Sequence, residues 1–423
     1  MILTAEMMAA QTDRQVTIRW PADQDSALTS VECFSGGGGL ALGVAQAGYR
    51  HLLLVESNPA ACRTLRANHA VDPHEIGTDG WPLHEGDAKH IDWFPYLGRV
   101  DLLAAGAPCQ PFSWGGSRRG HDDERNLFPE VFRALRQTRP RAFIIENVEA
   151  LTRAAFAPYL RYVLAQLQTP TLRPKRDEDW PDHKGRLDRV RIARRDPTEV
   201  YAVWYAVINA ADYGLPQIRH RIFIVGFRLD LDIAWDWPKP THSRDALIWA
   251  QLNGEYWREH DLLPRPPATP KPWPRLVKRI EQGEPPTTLR WRTLRDAILG
   301  LPEPADGKEC PDAHNHVGIP GARLYVGHTG SQLDWPAKTI KAGVHGSPGG
   351  EHILVRCDGS YRYLTVRECA RLQGFPDSYR FEGARTVRMR QLGNAVPVPL
   401  ARLMTAEIAS RLRAQARPVH HDA

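Results

Sequence analysis

The residues of this chain best suited to chemistry are a cysteine and a glutamate that each follow an apolar run. Cys109 comes directly after Pro108, and Glu146 directly before Asn147. A thiolate is a nucleophile, and a carboxyl group can hold or protonate a ring nitrogen, so the pair suits an attack on a pyrimidine ring. The alternatives are an inert buried thiol and a glutamate at a helix start. Prolines on both sides of Cys109 favour the functional interpretation.

A glycine-rich turn lies between an apolar run and a helix-like segment at residues 36–39. Glycines there let a ligand approach the backbone closely. Glu56 ends the next apolar run, twenty residues after Gly36, and a carboxylate at that position suits ribose hydroxyls. Asp87 follows a weaker run and is placed to reach an adenine amino group. Because the spacing is not G-x-G-x-x-G, a flexible turn with solvated carboxylates is an open alternative for these residues taken alone.

Three polar residues, Gln217, Arg219 and Arg221, alternate along a segment that leads into an apolar strand at 222–227. Alternate residues of a strand share one face, so these side chains are expected to point together. Such a set can hold a base edge, a phosphate or the glutamate. The alternative is a basic edge strand.

The apolar pattern predicts short strands that alternate with helices. Strands are predicted at 30–34, 51–55, 100–105 and 142–145, and helices at 40–47, 58–69 and 127–137. Strand and helix patterns resume at 200–211 and 221–227. This alternation predicts an α/β fold with a parallel sheet. Ligands of such sheets bind at the carboxyl ends of the strands, so Cys109 and Glu146 are expected to face one crevice.

Two segments depart from this pattern. Residues 171–196 are dense in charge and poor in apolar side chains, which predicts an inserted surface segment. After about residue 232, Pro and Trp are frequent and the periodicity is weak, and glycine is dense at 318–350. This region is expected to form a second, loop-rich domain. Helix patterns return at 364–373 and 399–413.

The composition is that of an ordinary globular protein with a positive charge. The 423 residues predict two domains, and the net charge of +6 is compatible with a polyanionic partner. The six cysteines include no C-x-x-C pair, so neither a disulfide framework nor a metal site is expected. The cysteines are instead expected to stay reduced, as in the interior of a cell. The sequence predicts no signal peptide and no membrane span, which favours a cytoplasmic protein with no membrane partner.

Six sequence blocks, taken in order, resemble the motif blocks of the DNA (cytosine-5)-methyltransferase family. They are Phe34-Ser35-Gly36-x-Gly38-Gly39, Pro108-Cys109-Gln110, Glu146-Asn147-Val148, Gln217-x-Arg219-x-Arg221, the stretch 367–377 and Gly393-Asn394-Ala395-Val396-Pro397. The resemblance covers about residues 29–232 and 287–412. Two departures are Glu32-Cys33, where Asp-Leu is more usual, and Ala107, which replaces a frequent proline.

The resemblance implies a class I methyltransferase, Rossmann-like fold. Its sheet is mixed, mostly parallel and seven-stranded, with helices on both faces, and a smaller irregular target-recognition domain is attached. The implied catalytic domain comprises residues 28–232 and 385–415, and the target-recognition domain comprises 233–384. Residues 1–27 and 416–423 are then terminal extensions, and 171–196 is an inserted charged segment.

The resemblance also implies S-adenosylmethionine as cofactor and assigns a role to each site residue. Cys109 would attack C6 of a flipped-out cytosine, and Glu146 would contact N3. Arg221 would hold O2, and Arg219 would support the site. The residues implied to bind the cofactor are Phe34, Gly36, Gly37, Gly38, Glu56, Asp87, Pro108, Leu127 and Asn394. Residues 111–126 resemble a loop that closes over the base, and the residues implied to contact DNA are Gln110, Ser113, Arg118, Arg119, Gln217 and Thr339.

These roles predict a sequence-specific DNA cytosine-5 methyltransferase. It would act as a monomer on double-stranded DNA, in a restriction–modification system with an endonuclease or as a solitary or phage methylase. One alternative is an RNA (tRNA) cytosine-5 methyltransferase, although the large variable region favours DNA. The other is an inactive DNA-binding relative, against which the presence of Cys109, Glu146, Arg219 and Arg221 argues. The DNA recognition sequence cannot be read from irregular loops.

Overall fold

The structure, a computed structural model, describes residues 27–69, 81–107, 127–262, 277–278, 280, 282–324, 326, 329–342 and 352–415. A seven-stranded sheet forms its centre, in the order β3-β2-β1-β4-β5-β7-β6. The strands are β1 (Leu28–Cys33), β2 (Tyr49–Glu56), β3 (Leu83–Glu85), β4 (Leu102–Gly106), β5 (Ala142–Val148), β6 (Tyr201–Asn209) and β7 (His220–Arg228). The strands from β3 to β5 pair in parallel, whereas β7 is antiparallel to both β5 and β6. The predicted fold class is confirmed.

Helices cover both faces of this sheet. The α-helices in the described ranges are α1 (Gly39–Gln46), α2 (Pro59–His69), α3 (Phe128–Thr138), α4 (Ala157–Gln168), α5 (Trp180–Leu187), α6 (Arg244–Leu252), α7 (Glu255–Glu259), α8 (Leu294–Ile298), α9 (Val366–Leu372), α10 (Arg385–Asn394) and α11 (Val398–Ala414). None of them is long and apolar enough to cross a membrane. Phe143 of β5 packs in a cluster with α3 and α4, and the adjacent Ile144 packs with α1 and α11. Burial on both faces explains why β5 begins as an unbroken apolar run.

The last helix closes the sheet against the first. A Cβ on Gly43 of α1 would lie 2.4 Å from the Ala401 Cβ of α11, so only glycine allows this approach. Tyr49 donates a hydrogen bond to the Thr405 carbonyl at 3.3 Å. Arg141 donates to the Leu412 carbonyl at 2.9 Å. The C-terminal residues are therefore part of the sheet's own core.

Residues 233–384 hold the remaining short strands. These are β8 (His242–Ser243), β9 (Leu289–Arg290), β10 (Glu309–Cys310), β11 (Ala313–Val317), β12 (Ser331–Gln332), β13 (Ile353–Val355) and β14 (Tyr361–Tyr363). Buried side chains of this region, among them Leu333 and Phe375, share one apolar cluster with Leu42 of α1 and Leu54 of β2. The predicted domains thus meet in a common core, and the domain boundary at residues 384 and 385 stays a prediction.

Candidate active site

A cleft of about 590 Å³ lies at the carboxyl ends of the parallel strands. Residues on its wall come from the turn after β1, the ends of β2, β4 and β5, and helix α10 with the residues after it. Six of the residues predicted to bind the cofactor line this cleft, namely Phe34, Gly36, Gly37, Glu56, Leu127 and Asn394. Glu146 and Arg221 line the same cleft. The structure therefore brings together residues that the sequence separates by up to 360 positions.

Not every predicted site residue lies on this wall. Asp87 caps a short 3-10 turn, where its carboxylate accepts a hydrogen bond from the Lys89 amide, and it is absent from the cleft lining. Gly38 lies behind the lining at the start of α1. Pro108, Cys109, Gln110, Ser113, Arg118 and Arg119 lie outside the described residues.

The glycine-rich turn has a backbone that most residues avoid. Gly36 and Gly38 have positive φ angles, and so does the non-glycine Phe34, at 63°. A left-handed aromatic residue at the mouth of a cleft is strained, which is typical of ligand sites. A Cβ on Gly38 would lie 2.4 Å from the Tyr379 hydroxyl, which donates to the Gly37 carbonyl at 2.8 Å. The turn is thus held in one shape by the second half of the chain.

Glu56 ties this turn to the end of β2. One carboxylate oxygen accepts a hydrogen bond from the Gly36 amide, and the other from the Asn58 amide, both at 2.7 Å. Each carboxylate oxygen has a second lone pair, so the group can also accept from a pair of vicinal hydroxyls. Glu56 therefore combines a fixed position with acceptor capacity for a ribose.

Glu146 and Arg221 form a largely buried ion pair on the wall of the cleft. The Arg221 Nε atom lies 2.9 Å from the Glu146 Oε1 atom, across the antiparallel pair of β5 and β7. Burial raises the pKa of Glu146 above its ordinary value, and the cations Arg221 and Arg219 oppose part of that rise. A carboxyl group in such a place can donate or accept a proton nearer neutral pH than a solvated one.

Asn147 connects Glu146 to the segment that carries Cys109. Its side-chain amide donates to the Ala107 carbonyl at 3.3 Å, two residues before Cys109. The same side chain accepts from the Val148 amide at 2.8 Å. Asn147 is almost fully buried, so this contact fixes the end of β4 against the end of β5.

The alternating polar residues that precede β7 do not converge on one ligand. Arg219 is buried and donates to the carbonyls of Ile340, Gly393 and Ala395, at 2.8 to 2.9 Å. Gln217 is also buried, and its amide group bonds the Leu372 carbonyl and the Ile340 amide. Both side chains join the sheet to the second half of the chain, and only Arg221 reaches the cleft.

Two of the residues predicted to contact DNA, Gln217 and Thr339, lie within the described part of the chain. Gln217 has no exposed surface, and both ends of its amide are used within the protein. Thr339 is half-buried, and its hydroxyl donates to the Ile218 carbonyl at 2.8 Å. In the structure, Gln217 and Thr339 both hold parts of the protein backbone in position. Their contact with DNA stays a prediction, and their hydrogen-bonded, buried or half-buried side chains do not support it.

Helix α10 supplies cleft residues that the sequence reasoning did not identify. Val387, Arg390 and Gln391 line the cleft from this helix, and Asn58 and Arg63 line it from the start of α2. Few residues of α10 are apolar, so its periodicity is weak and no helix was predicted there. The motif-like block at 393–397 was the available signal, because it marks where α10 ends.

Glu32, one of the departures noted in the sequence, is fully buried behind the glycine-rich turn. Neither of its carboxylate oxygens has a hydrogen-bond partner among the described residues. Burial raises its pKa well above the ordinary value, and the Glu56 carboxylate adds to the rise, while Ser35 and the Ala41 backbone oppose it. Between the ordinary pKa of a glutamate and this raised pKa, the folded protein therefore retains a proton that the unfolded chain releases.

This raised pKa makes Glu32 a source of pH-dependent instability. The proton-linked stability is complete below the pKa of the unfolded chain and is lost as pH rises towards the folded pKa. Glu32→Gln is therefore expected to increase the free energy of unfolding at pH 8, by about 1–3 kcal/mol, and to change it little at pH 5. Denaturant unfolding at both pH values measures this. The exposed Glu284→Gln is the control, and an equal effect of Glu32→Gln at the two pH values would contradict the account.

Comparison with known proteins identifies the fold and the family. A sequence profile of the C-5 cytosine-specific DNA methylases matches residues 28–169, 194–260 and 322–410. The chain is 30% identical to the type II methyltransferase M.NgoMIV of Neisseria gonorrhoeae, over 91% of this chain and 98% of that protein. It is 31% identical to M.Eco47II of Escherichia coli, over 90% of this chain and 80% of that protein.

Among solved structures, a DNA modification methyltransferase encoded within an Escherichia coli prophage has the same fold. The TM-score is 0.55 at 19% identity, and the match covers 92% of this chain and 100% of that one. The profile match extends over more than half of the sequence and includes the cleft-lining turn, Glu146, Arg221 and Asn394. The chain therefore belongs to the C-5 cytosine-specific DNA methylase family and is a DNA (cytosine-5) methyltransferase.

Proposed function

We propose that this enzyme methylates one cytosine within a short, specific sequence of double-stranded DNA, with S-adenosylmethionine as the methyl donor. The observation that carries the proposal is the Glu146–Arg221 ion pair, which lies in the same cleft as the glycine-rich turn and Asn394. One wall of this cleft suits a nucleoside, and the wall that carries the ion pair suits a pyrimidine ring.

The residues present fit the cofactor. Phe34 offers an aromatic face at the cleft, and Glu56 has acceptor capacity for the ribose hydroxyls. The glycines at 36 and 37 leave the backbone open to the methionine part, and Asn394 lines the opposite side. When bound, the cofactor supplies an electrophilic methyl group. The adenine contact of Asp87 and the contribution of Pro108 remain predictions.

The protein's own groups would carry the reaction in the following way. The Cys109 thiolate forms a bond to C6 of the cytosine, while Glu146 contacts N3 and compensates the charge that develops on the ring. C5 then becomes nucleophilic and takes the methyl group. Loss of the C5 proton to a base returns the electron pair to the ring, and the C6–S bond breaks to release Cys109.

Positioning of the base would fall to two arginines with different tasks. Arg221 holds Glu146 in place and has donors to offer the cytosine O2 atom, whereas Arg219 fixes the backbone on the opposite wall. Because C6 is shielded in stacked DNA, the target base must leave the duplex. Closure of residues 111–126 over that base stays part of the proposal, since this segment lies outside the described residues.

The biological setting is proposed from the relatives. Both relatives compared above are type II methyltransferases, which supports a role in restriction–modification beside an endonuclease. We expect a monomer, because an asymmetric DNA contact needs only one chain. The enzyme would act in the cytoplasm, associated with the nucleoid when bound to DNA.

Bisulfite sequencing of DNA from a methylation-free host that expresses the chain tests the proposal. Cytosines at one short motif should resist conversion with the wild-type protein and with Cys310→Ala, a half-buried cysteine outside the cleft. None should resist with Cys109→Ala. Methylation by Cys109→Ala would refute the mechanism. Methyl transfer to tRNA but not to DNA, assayed with labelled S-adenosylmethionine, would replace the DNA substrate by RNA.

A further inference from the structure

The inserted segment at 171–196 forms a second cleft that the reaction does not use. It measures about 580 Å³ and is lined by Arg186, Arg189, Arg191, Arg194 and Arg195, with Leu172 and Val190. We name these five arginines the arginine groove. We propose that the arginine groove binds the phosphate backbone of DNA outside the target site, as a second DNA-contact surface.

The charges of the arginine groove are largely free to bind an anion. Residues 186–195 contain five arginines and one acidic residue, Asp188, which is paired with Lys184. Among the described residues, Arg191, Arg194 and Arg195 form no ion pair, and all three are exposed. A guanidinium group presents a planar set of N–H donors that matches phosphate geometry.

The segment that carries the arginine groove is folded and anchored. Trp180 of α5 packs against Tyr159 and Tyr162 of α4, with ring centroids 5.6 and 5.7 Å apart. His183 is buried between the Tyr162 hydroxyl and the Leu172 carbonyl, at 3.2 and 3.0 Å. The charged segment therefore has a fixed shape, and fixed donors lose less entropy when they bind.

One arginine of the groove, Arg186, stabilises the segment rather than being free to bind a ligand. Arg186 binds both carboxylate oxygens of Glu178, at 2.6 and 2.7 Å, and donates to the Arg173 carbonyl. This pairing fixes the backbone from which the free arginines project. A ligand would therefore contact Arg191, Arg194 and Arg195 first.

The arginine groove lies at the edge of the sheet opposite the active-site cleft. It precedes Tyr201, which pairs with Arg228 at the far end of β7 from Arg221. Arg221 and Arg228 are seven residues apart along β7, which is about 23 Å at a rise of roughly 3.3 Å per residue. The start of β6, into which the arginine groove leads, is therefore about 20 Å from Arg221, and we infer that the groove contacts DNA outside the target base.

Three of the five arginines of the groove, Arg186, Arg189 and Arg191, lie outside the sequence pattern shared by the family, and Arg194 and Arg195 lie at its edge. The family profile matches residues 28–169 and resumes at 194, so it omits most of this segment. The residues from 170 to 193 are therefore not part of the pattern that identifies the family. Its open, shallow form suits a polymer with repeated phosphates, and this chain already has DNA as its substrate.

A triple variant, Arg191→Ala/Arg194→Ala/Arg195→Ala, tests this surface in the full-length enzyme. Binding to a duplex without the target sequence should weaken, and the slope of log affinity against log salt should become shallower by about 2–3, which corresponds to three phosphate contacts. The matched control is Arg50→Ala/Arg402→Ala/Arg413→Ala, which removes the same charge from exposed positions elsewhere. That control should change the slope by less than half as much.

Methylation assays separate this proposal from the function of the active site. With a short duplex of about twelve base pairs and one central target site, which extends about 20 Å to either side, the triple variant should keep the wild-type kcat/KM. With DNA of about a thousand base pairs and the same single site, its kcat/KM should be at least threefold lower than wild type. An unchanged salt slope, or an equal loss on short and long DNA in a variant of normal thermal stability, would overturn the proposal. Because non-target binding needs no turnover, an inactive enzyme would still test it.

Discussion

Glu146→Gln is expected to lower the rate of methyl transfer by about 10²- to 10⁴-fold, the range of a lost acid–base group. Glutamine has nearly the shape of glutamate, and its amide oxygen can still face Arg221, which lies 2.9 Å from the carboxylate in the native ion pair. It cannot exchange a proton with the cytosine N3 atom at any pH near neutrality. The loss should therefore appear in kcat, with little change in the binding of S-adenosylmethionine.

Single-turnover transfer of labelled methyl groups and calorimetric titration of the cofactor measure the two quantities separately. Glu149→Gln is the matched control, because Glu149 is exposed and lies only three residues away. A wild-type rate in Glu146→Gln would remove Glu146 from the chemistry. A parallel loss of cofactor binding would instead show that the substitution disturbs the cleft.

The pH dependence of the same reaction should change in a predictable direction when Arg221 is replaced. Burial raises the pKa of Glu146 and Arg221 lowers it, so removal of Arg221 raises that pKa further. If the protonated carboxyl acts on N3, the rate falls as pH rises through this pKa. In Arg221→Met the falling limb should therefore move to higher pH, although the maximum rate is lower.

Arg219→Met is expected to reduce the free energy of unfolding by an amount on the order of 4 kcal/mol. The arginine satisfies three buried carbonyls, those of Ile340, Gly393 and Ala395. Methionine fills much of the same volume but leaves these oxygens without their donor. Gly393 and Ala395 also line the active-site cleft, so the affinity for S-adenosylmethionine should fall together with stability.

Thermal unfolding and cofactor titration of Arg219→Met test this expectation. The control is Arg258→Met, at an exposed arginine outside both clefts, which should leave both quantities unchanged. Arg219→Lys should fall between the two, because a single ammonium group cannot match the guanidinium geometry. If Arg219→Met is as stable as wild type but inactive, Arg219 acts on the substrate rather than on the backbone.

The sequence predicts those strands and turns whose signal lies in a few consecutive residues, such as an apolar run. The run that begins at Ala142 predicts β5, and its position before Asn147 correctly places Glu146 at the carboxyl end of a strand. The strand continues to Val148, however, because pairing with β7 extends it beyond the apolar residues. The glycine-rich turn was recognised for the same reason, since its signal lies in four consecutive residues.

The sequence does not predict features that depend on contacts between residues far apart along the chain. The position of β7 between β5 and β6 follows from two antiparallel ladders, which no local period encodes. The resemblance implies that Arg219 supports the site, but the sequence cannot name its carbonyl partners, because they lie 121 to 176 residues away along the chain. Arg390 was missed because α10 is held by its neighbours rather than by its own apolar stripe.

The packing of α11 on α1 joins segments that are synthesised far apart in time. Tyr49 and its partner Thr405 are 356 residues apart, so translation at roughly 5–20 residues per second separates their appearance by tens of seconds. During that interval the face of β1 and β2 that α11 will bury remains uncovered. Apolar surface that is exposed in this way makes a nascent chain prone to aggregation. The packing on β1 and β2 is therefore complete only once the seventeen-residue helix α11 has been made.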